Sequence, residues 1–181
     1  MVLRYTTTAI ALHWLIALLI FATFPLGLYM ADLGLSPSKL RLYSWHKWIG
    51  VSIFVLALIR ILWRATHRPP PPVAMPQWQR RTAESVHYMI YAAMIVIPIS
   101  GWLMSSAMGF TTVWFGVLPL PDLVERDKQL AATLRDMHEW LNYGLLALVA
   151  GHVAAALEHQ FVKKDGLIHR LNPFARFEKS Q

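Results

Sequence analysis

Eight histidines and no cysteine occur in the 181 residues. Six of the eight, His13, His46, His87, His138, His152 and His159, fall within or at the ends of long apolar stretches. An ionisable side chain in such a place is costly and usually functional. The segment HEWLNYGLLALVAGH carries an imidazole at each end, His138 and His152. Fourteen helical residues at about 1.5 Å and about 100° each separate the two by about 21 Å along the axis and about 40° around it. Both imidazoles therefore look out from one face, near opposite ends of a span. Low-spin haem iron in an electron carrier takes two axial ligands, so each of these histidines needs a second imidazole from a neighbouring helix at equal depth. His67 and His169 lie in basic segments and read as solvated side chains.

Other chemistries find little support. Without cysteine there is no disulfide, no thiolate-ligated iron-sulfur cluster and no thioether haem attachment. No Gly-rich phosphate loop, H-E-x-x-H or local Ser/His/Asp signature occurs, so neither hydrolysis nor nucleotide chemistry is indicated.

The elements that must carry the histidines follow from hydropathy. The chain is 56% hydrophobic with a mean hydropathy of +0.40, more apolar than an ordinary soluble domain. Uncharged runs cover residues 9–30, 48–59, 86–121 and 140–157, and about 20 apolar residues suffice to cross a bilayer. Four transmembrane helices are expected near residues 8–30, 45–64, 86–108 and 138–161, the second reaching spanning length if Arg60 snorkels. The first run is too long for a secretory h-region and shows no clear cleavage site, so it is expected to stay in the protein. RPPPPVAMP, residues 68–76, reads as a stiff connection. One domain, 1–181, is expected, all-α and embedded in lipid.

Charge orients the bundle, because cytoplasmic flanks accumulate Lys and Arg. Arg4, Arg60, Arg64, Arg68, Arg80, Arg81, Lys163, Lys164, Arg170, Arg176 and Lys179 share one side with Glu84, Glu158, Asp165 and Glu178, giving it the whole net charge of +7. The other side balances Lys39, Arg41, Lys47, Arg126, Lys128 and Arg135 against six acids. Both termini are thereby expected in the cytoplasm. The same partition argues against nucleic acid as the partner of so basic a chain.

Depth then pairs the imidazoles. On the outer side His46 opens the second span as His138 opens the fourth. On the inner side His13 and His152 lie roughly 14 and 16 Å from the nearest flanking base, whereas His87 and His159 are shallower. His13 with His152 is the favoured inner pair and His87 with His159 a separate shallow pair. Helix tilt could alter a comparison this fine, and His87 stays open as the alternative inner ligand. Gly144, Ala147, Ala150, Gly151, Ala154 and Ala155 are small enough to let flat groups approach the fourth helix, or to let helices pack closely. Arg60 and Arg64 read either as propionate partners or as anchors. The outer cations can steer a small anion only as a local cluster, and the apolar VWFGVLPLP in the loop 111–137 can cap a haem or dock a partner.

ALHW opening the first span, SWHKWIG the second, HYMIYAAMIVIPISGW in the third and MHEWLNYGLLALVAGHVAAALEH in the fourth resemble the bacterial cytochrome b561 family over nearly the whole chain. The resemblance implies an all-α integral membrane four-helix bundle of the inner membrane with two haem b groups bound between the helices. It implies axial ligation by His13, His46, His138 and His152, with His159 near ubiquinone. Some family members act as superoxide oxidases, and the expected function is oxidation of periplasmic superoxide with reduction of ubiquinone at the cytoplasmic side. His159 and His87 would hydrogen-bond quinone or deliver its protons. The alternative is a cytochrome b subunit of a periplasmic dehydrogenase or hydrogenase complex, fed by a soluble redox partner.

Overall fold

The computed structural model describes residues 4–173; Arg176, Glu178 and Lys179 of the charge partition lie outside the described residues. Four helices account for the apolar stretches: α1 (Thr7–Asp32), α2 (Pro37–Thr66), α3 (Gln77–Ala107) and α4 (Lys128–Glu158). At 1.5 Å per residue they run from about 39 to about 47 Å, longer than the roughly 30 Å of hydrocarbon they cross. α2, α3 and α4 start well ahead of the apolar windows expected from sequence. Their extra turns carry Lys39, Arg41, Arg80, Arg81, Lys128 and Arg135, which suit headgroups and water.

Caps fix two of those early starts. The Ser36 side chain accepts from the Lys39 N–H ahead of Pro37, and Asp127 accepts from the N–H groups of Gln129 and Leu130, satisfying amides a helix start leaves unpaired. The connections cover residues 33–36, 67–76 and 108–127, and consecutive helices are neighbours. α1 packs closely on α2 and α3 on α4, with α2 on α3 less extensive; α4 has no comparable backbone contact with α1 or α2.

Ile16, Ile53, Ala57 and Met94 form the buried centre. Only 6% to 28% of the most apolar window of each span is buried by protein, whereas a water-soluble bundle would bury a full stripe of each helix. Leu18, Phe21, Leu62 and Val153 point outward and are exposed, leaving lipid as the solvent for these faces. The protein is an integral membrane helical bundle.

The connection from α3 to α4 holds structure that hydropathy did not foretell. Val113–Trp114 and Leu118–Pro119 pair as a short antiparallel hairpin, β1 and β2, through Phe115 and Gly116 at φ 51° and 72°, the left-handed pair of a tight hairpin turn. It is tied to α2. The Trp48 indole donates to the Val113 carbonyl at 2.6 Å, and the Trp114 indole donates to the Trp48 carbonyl at 3.3 Å. At the opposite end, a π turn (His159–Lys163) and a 3-10 turn (Ile168–Leu171) follow α4. The Trp14 indole donates to the Leu171 carbonyl at 2.8 Å, and Arg170 donates to the Pro71 carbonyl at 2.6 Å. The segment after α4 thus closes the end of the bundle where α1 begins.

Candidate functional site

At the outer level His46 of α2 faces His138 of α4, with ring centroids 6.3 Å apart and planes at 77°. A neighbouring hydroxyl fixes each ring: Thr23 Oγ1 lies 3.1 Å from His46 Nδ1, and Ser100 Oγ lies 2.9 Å from His138 Nδ1. Ser100 already donates its hydroxyl proton to the Ile97 carbonyl at 2.8 Å. It must therefore accept from His138, which puts the proton on Nδ1 and leaves the Nε2 lone pair free. That is the arrangement of a metal-binding imidazole oriented by an outer partner.

Glycines give these rings their room. A Cβ on Gly27 of α1 would stand 3.1 Å from His46 Cε1, and one on Gly101 of α3 would stand 3.1 Å from His138 Cε1. A larger residue at either place would push an imidazole aside. Between the two histidines opens a cleft, partly open to the outside and lined by all four helices. Its walls are mainly apolar, including Ile53, Met94 and Leu145, and Thr23, His46, His138 and Asn142 supply its polar side chains. Gly50 lines it with nothing within 4 Å of its Cβ position.

At the inner level His152 of α4 has two imidazole neighbours. The His13 ring of α1 is 6.3 Å away at 68°, and the His87 ring of α3 is 5.2 Å away at 71°. Two imidazoles that share one metal through bonds of about 2.0 Å hold their centroids roughly 6.3 Å apart, once the ring radius is added on both sides. His13 with His152 and His46 with His138 have this spacing. His87 with His152 is shorter by about 1 Å. Arg60 of α2 donates to the Tyr91 hydroxyl at 3.0 Å, its guanidinium carbon 5.8 Å from that ring's centroid; a carboxylate partner for Arg60 is not found among the described residues.

His159 sits at the junction of α4 and the π turn, 9% exposed. Its Nδ1 is 2.5 Å from Asp165 Oδ2. The expected shallow pairing of His87 with His159 does not form a ring contact, since His87 lies against His152 and His159 against Asp165. Glu158 and Lys163 pair with each other at 3.2 Å. His67 stacks on Trp63 and is exposed, as is His169.

The small residues of α4 are not where they were expected to serve. Gly144, Ala147, Ala150, Gly151, Ala154 and Ala155 are exposed, because a 100° step places them roughly 120° to 260° around the helix from His138. The glycines that give the outer imidazoles room are Gly27 and Gly101, on the facing helices. Thr23, Ser100 and Asp165 were likewise not singled out from sequence. A search for hydroxyls at the depth of each histidine would have raised the first two.

The bundle thus carries imidazole pairs at two depths on a four-helix frame. The sequence profile of prokaryotic cytochrome b561 matches residues 4–173. The chain belongs to this family. Cytochrome b561 homolog 2 of Escherichia coli strain K12 is 31% identical over 170 residues, 93% of this chain and 90% of the relative. Cytochrome b561 homolog 1 of the same organism is 28% identical over 185 residues, 94% and 97% of the two chains. A protein named probable superoxide oxidase CybB from Yersinia pestis is 30% identical over 179 residues, 96% and 98%.

A cytochrome b561 is a membrane electron-transfer protein, and its family implies b-type haem. The residues fit that group. Among the described residues no group of three or more His, Cys, Asp or Glu is arranged to hold a metal ion by itself, while two opposed imidazoles suit a metal whose other ligands come with a porphyrin. The outer cleft is apolar, and the free Nε2 of His138 belongs to a ring aligned by Ser100.

Proposed function

We propose that this cytochrome b561 is a superoxide:ubiquinone oxidoreductase of the bacterial inner membrane, with both termini in the cytoplasm. Two superoxide anions lose one electron each and leave as oxygen, and ubiquinone takes up two electrons and two protons to become ubiquinol. The observation that carries the reading is the equal 6.3 Å ring spacing of two histidine pairs at two depths of one bundle. The name of the Yersinia relative supports the choice of donor.

His46 and His138 would hold one haem, and His13 and His152 the other. When bound, haem supplies a one-electron couple at each level. Thr23 and Ser100 orient the outer rings. Lys47 is an outer cation anchored in the bundle, its ammonium donating to Ser105 Oγ at 2.5 Å, and it favours an anionic donor on that side. Lys39 by contrast donates to the Leu33 carbonyl at the end of α1. His87 backs His152, and His159 at the inner end meets the quinone.

His159→Ala is expected to leave both haem spectra and their reduction by superoxide nearly intact. Reoxidation by ubiquinone should slow about tenfold or more, the scale of a lost positioned proton donor. Unchanged quinone turnover in the fully loaded variant would remove His159 from the mechanism.

The exposed apolar tip of the hairpin, Phe115, Val117 and Leu118, favours a second reading, in which a periplasmic dehydrogenase docks there and feeds the outer level. A soluble partner recovered in stoichiometric amount with the purified chain, together with no reaction toward superoxide, would decide for it.

A further inference from the structure

We propose that Asp165 and His159 together form a proton-uptake site, in which the Asp165 carboxylate orients the imidazole for proton transfer to quinone. This rests on the reading of His159 as the quinone residue and adds to it a positioning residue and a path for the proton.

Among the described residues His159 is the ionisable side chain that is buried; the other buried polar side chains are hydroxyls. Its carboxylate partner comes from six residues further along the chain and reaches it because the backbone folds back. The π turn of His159–Lys163 is followed by Lys164 in the left-handed region at φ 52° and by Gly166 at φ 74°. A non-glycine residue held there is strained, and such residues cluster at functional sites, as π turns also do.

Asp165 is held from both sides. Oδ2 faces His159 Nδ1 at 2.5 Å, and Oδ1 accepts the Leu167 N–H at 3.1 Å. Burial pushes the Asp165 carboxyl upward, but these hydrogen bonds, with the charges of His159 and Lys163, outweigh it and hold the group below the ordinary carboxylate range. Lys163 also pairs with Glu158 at 3.2 Å and with Gln79 at 3.3 Å. His159 Nε2 has no hydrogen-bond partner among the described residues.

The surroundings differ on the two sides of the pair. Leu157, Phe161 and Val162 are exposed apolar neighbours in sequence, the kind of surface a lipid-borne quinone crosses. Asp165 retains 25% of its side-chain surface and so touches water. In each transfer the Nε2–H bond of the imidazolium breaks and an O–H bond forms on a ubiquinone oxygen. The neutral imidazole keeps its Nδ1 proton on Asp165 and regains the lost proton from water. Two such transfers accompany the two electrons that two superoxide anions supply.

The test compares Asp165→Asn, His159→Ala and the double variant in the full-length, haem-loaded protein, using a soluble ubiquinone analogue. Asp165→Asn should keep both haem spectra and the superoxide-driven reduction while slowing reoxidation by quinone about tenfold. Acetate or formate in the buffer should restore part of the rate, the solvent isotope effect should rise, and the double variant should be no slower than His159→Ala. If Asp165→Asn loses haem, Asp165→Glu carries the same comparison and should retain most of the rate. Wild-type reoxidation in the Asp165 variant with a slow His159→Ala overturns the dyad and leaves His159 in place. Wild-type rates in both overturn the two readings together. A slow Asp165→Asn that small acids do not rescue, and whose loss lies in KM for quinone, assigns Asp165 a structural role and overturns proton uptake.

Discussion

The wild type is expected to purify with two haems and His138→Ala with one, and the variant to lose superoxide-driven reduction by on the order of a hundredfold. A b-type haem has no covalent tether, so the axial imidazoles and the cleft walls must retain it. Nothing on α4 can replace His138: its neighbours on that face, Asn142 and Leu145, include no second imidazole. The inner spectrum should persist, because His13 and His152 are left untouched and still face each other at 6.3 Å. Ser100→Ala should act in the same direction but more weakly, on the order of tenfold in haem affinity, as expected when a ligand loses its orienting partner. Two bis-histidine haems in His138→Ala, seen by haem content and low-temperature absorption, would contradict the assignment.

The second large effect separates the three inner imidazoles. His152→Ala and His13→Ala should each lose the inner haem, while His87→Ala should keep two low-spin haems. The reasoning is metrical. His13 stands from His152 at the same 6.3 Å that separates the outer pair, and His87 stands at 5.2 Å, short of the spacing of two opposed rings on one metal. Spectroscopic titration of haem into the three variants checks this. Retention in His13→Ala with loss in His87→Ala would exchange their roles.

Much of the frame was legible before any coordinates. Spans announce themselves because apolar runs in lipid need no alternation, and His138 and His152 declare a common face through helical period alone. The starts of α2 and α4 were not legible in the same way, since they depend on Ser36 and Asp127 capping polar turns that hydropathy passes over. The shell around the imidazoles was hidden for a different reason. Serines in spans commonly bond their own helix, as Ser52 does to the Trp48 carbonyl and Ser106 to the Trp102 carbonyl, so nothing local marks Ser100 as the residue that also turns to another helix. Gly27 and Gly101 were missed because room for a ligand was sought beside it in sequence, whereas the space comes from the helices opposite. Asp165 reaches His159 only through a π turn and a left-handed residue that no periodicity encodes.

The central claim is tested most directly by stopped-flow spectroscopy of the purified protein mixed with superoxide, with and without a ubiquinone analogue. Without quinone, haem absorbance should shift to the reduced form within the mixing experiment and remain there; with quinone, reduction should be followed by reoxidation and ubiquinol should accumulate at one per two superoxide anions. Right-side-out vesicles given external superoxide should behave like the purified protein, and inverted vesicles should not respond. Haem that stays oxidised in the presence of superoxide, or a response confined to inverted vesicles, would contradict the account.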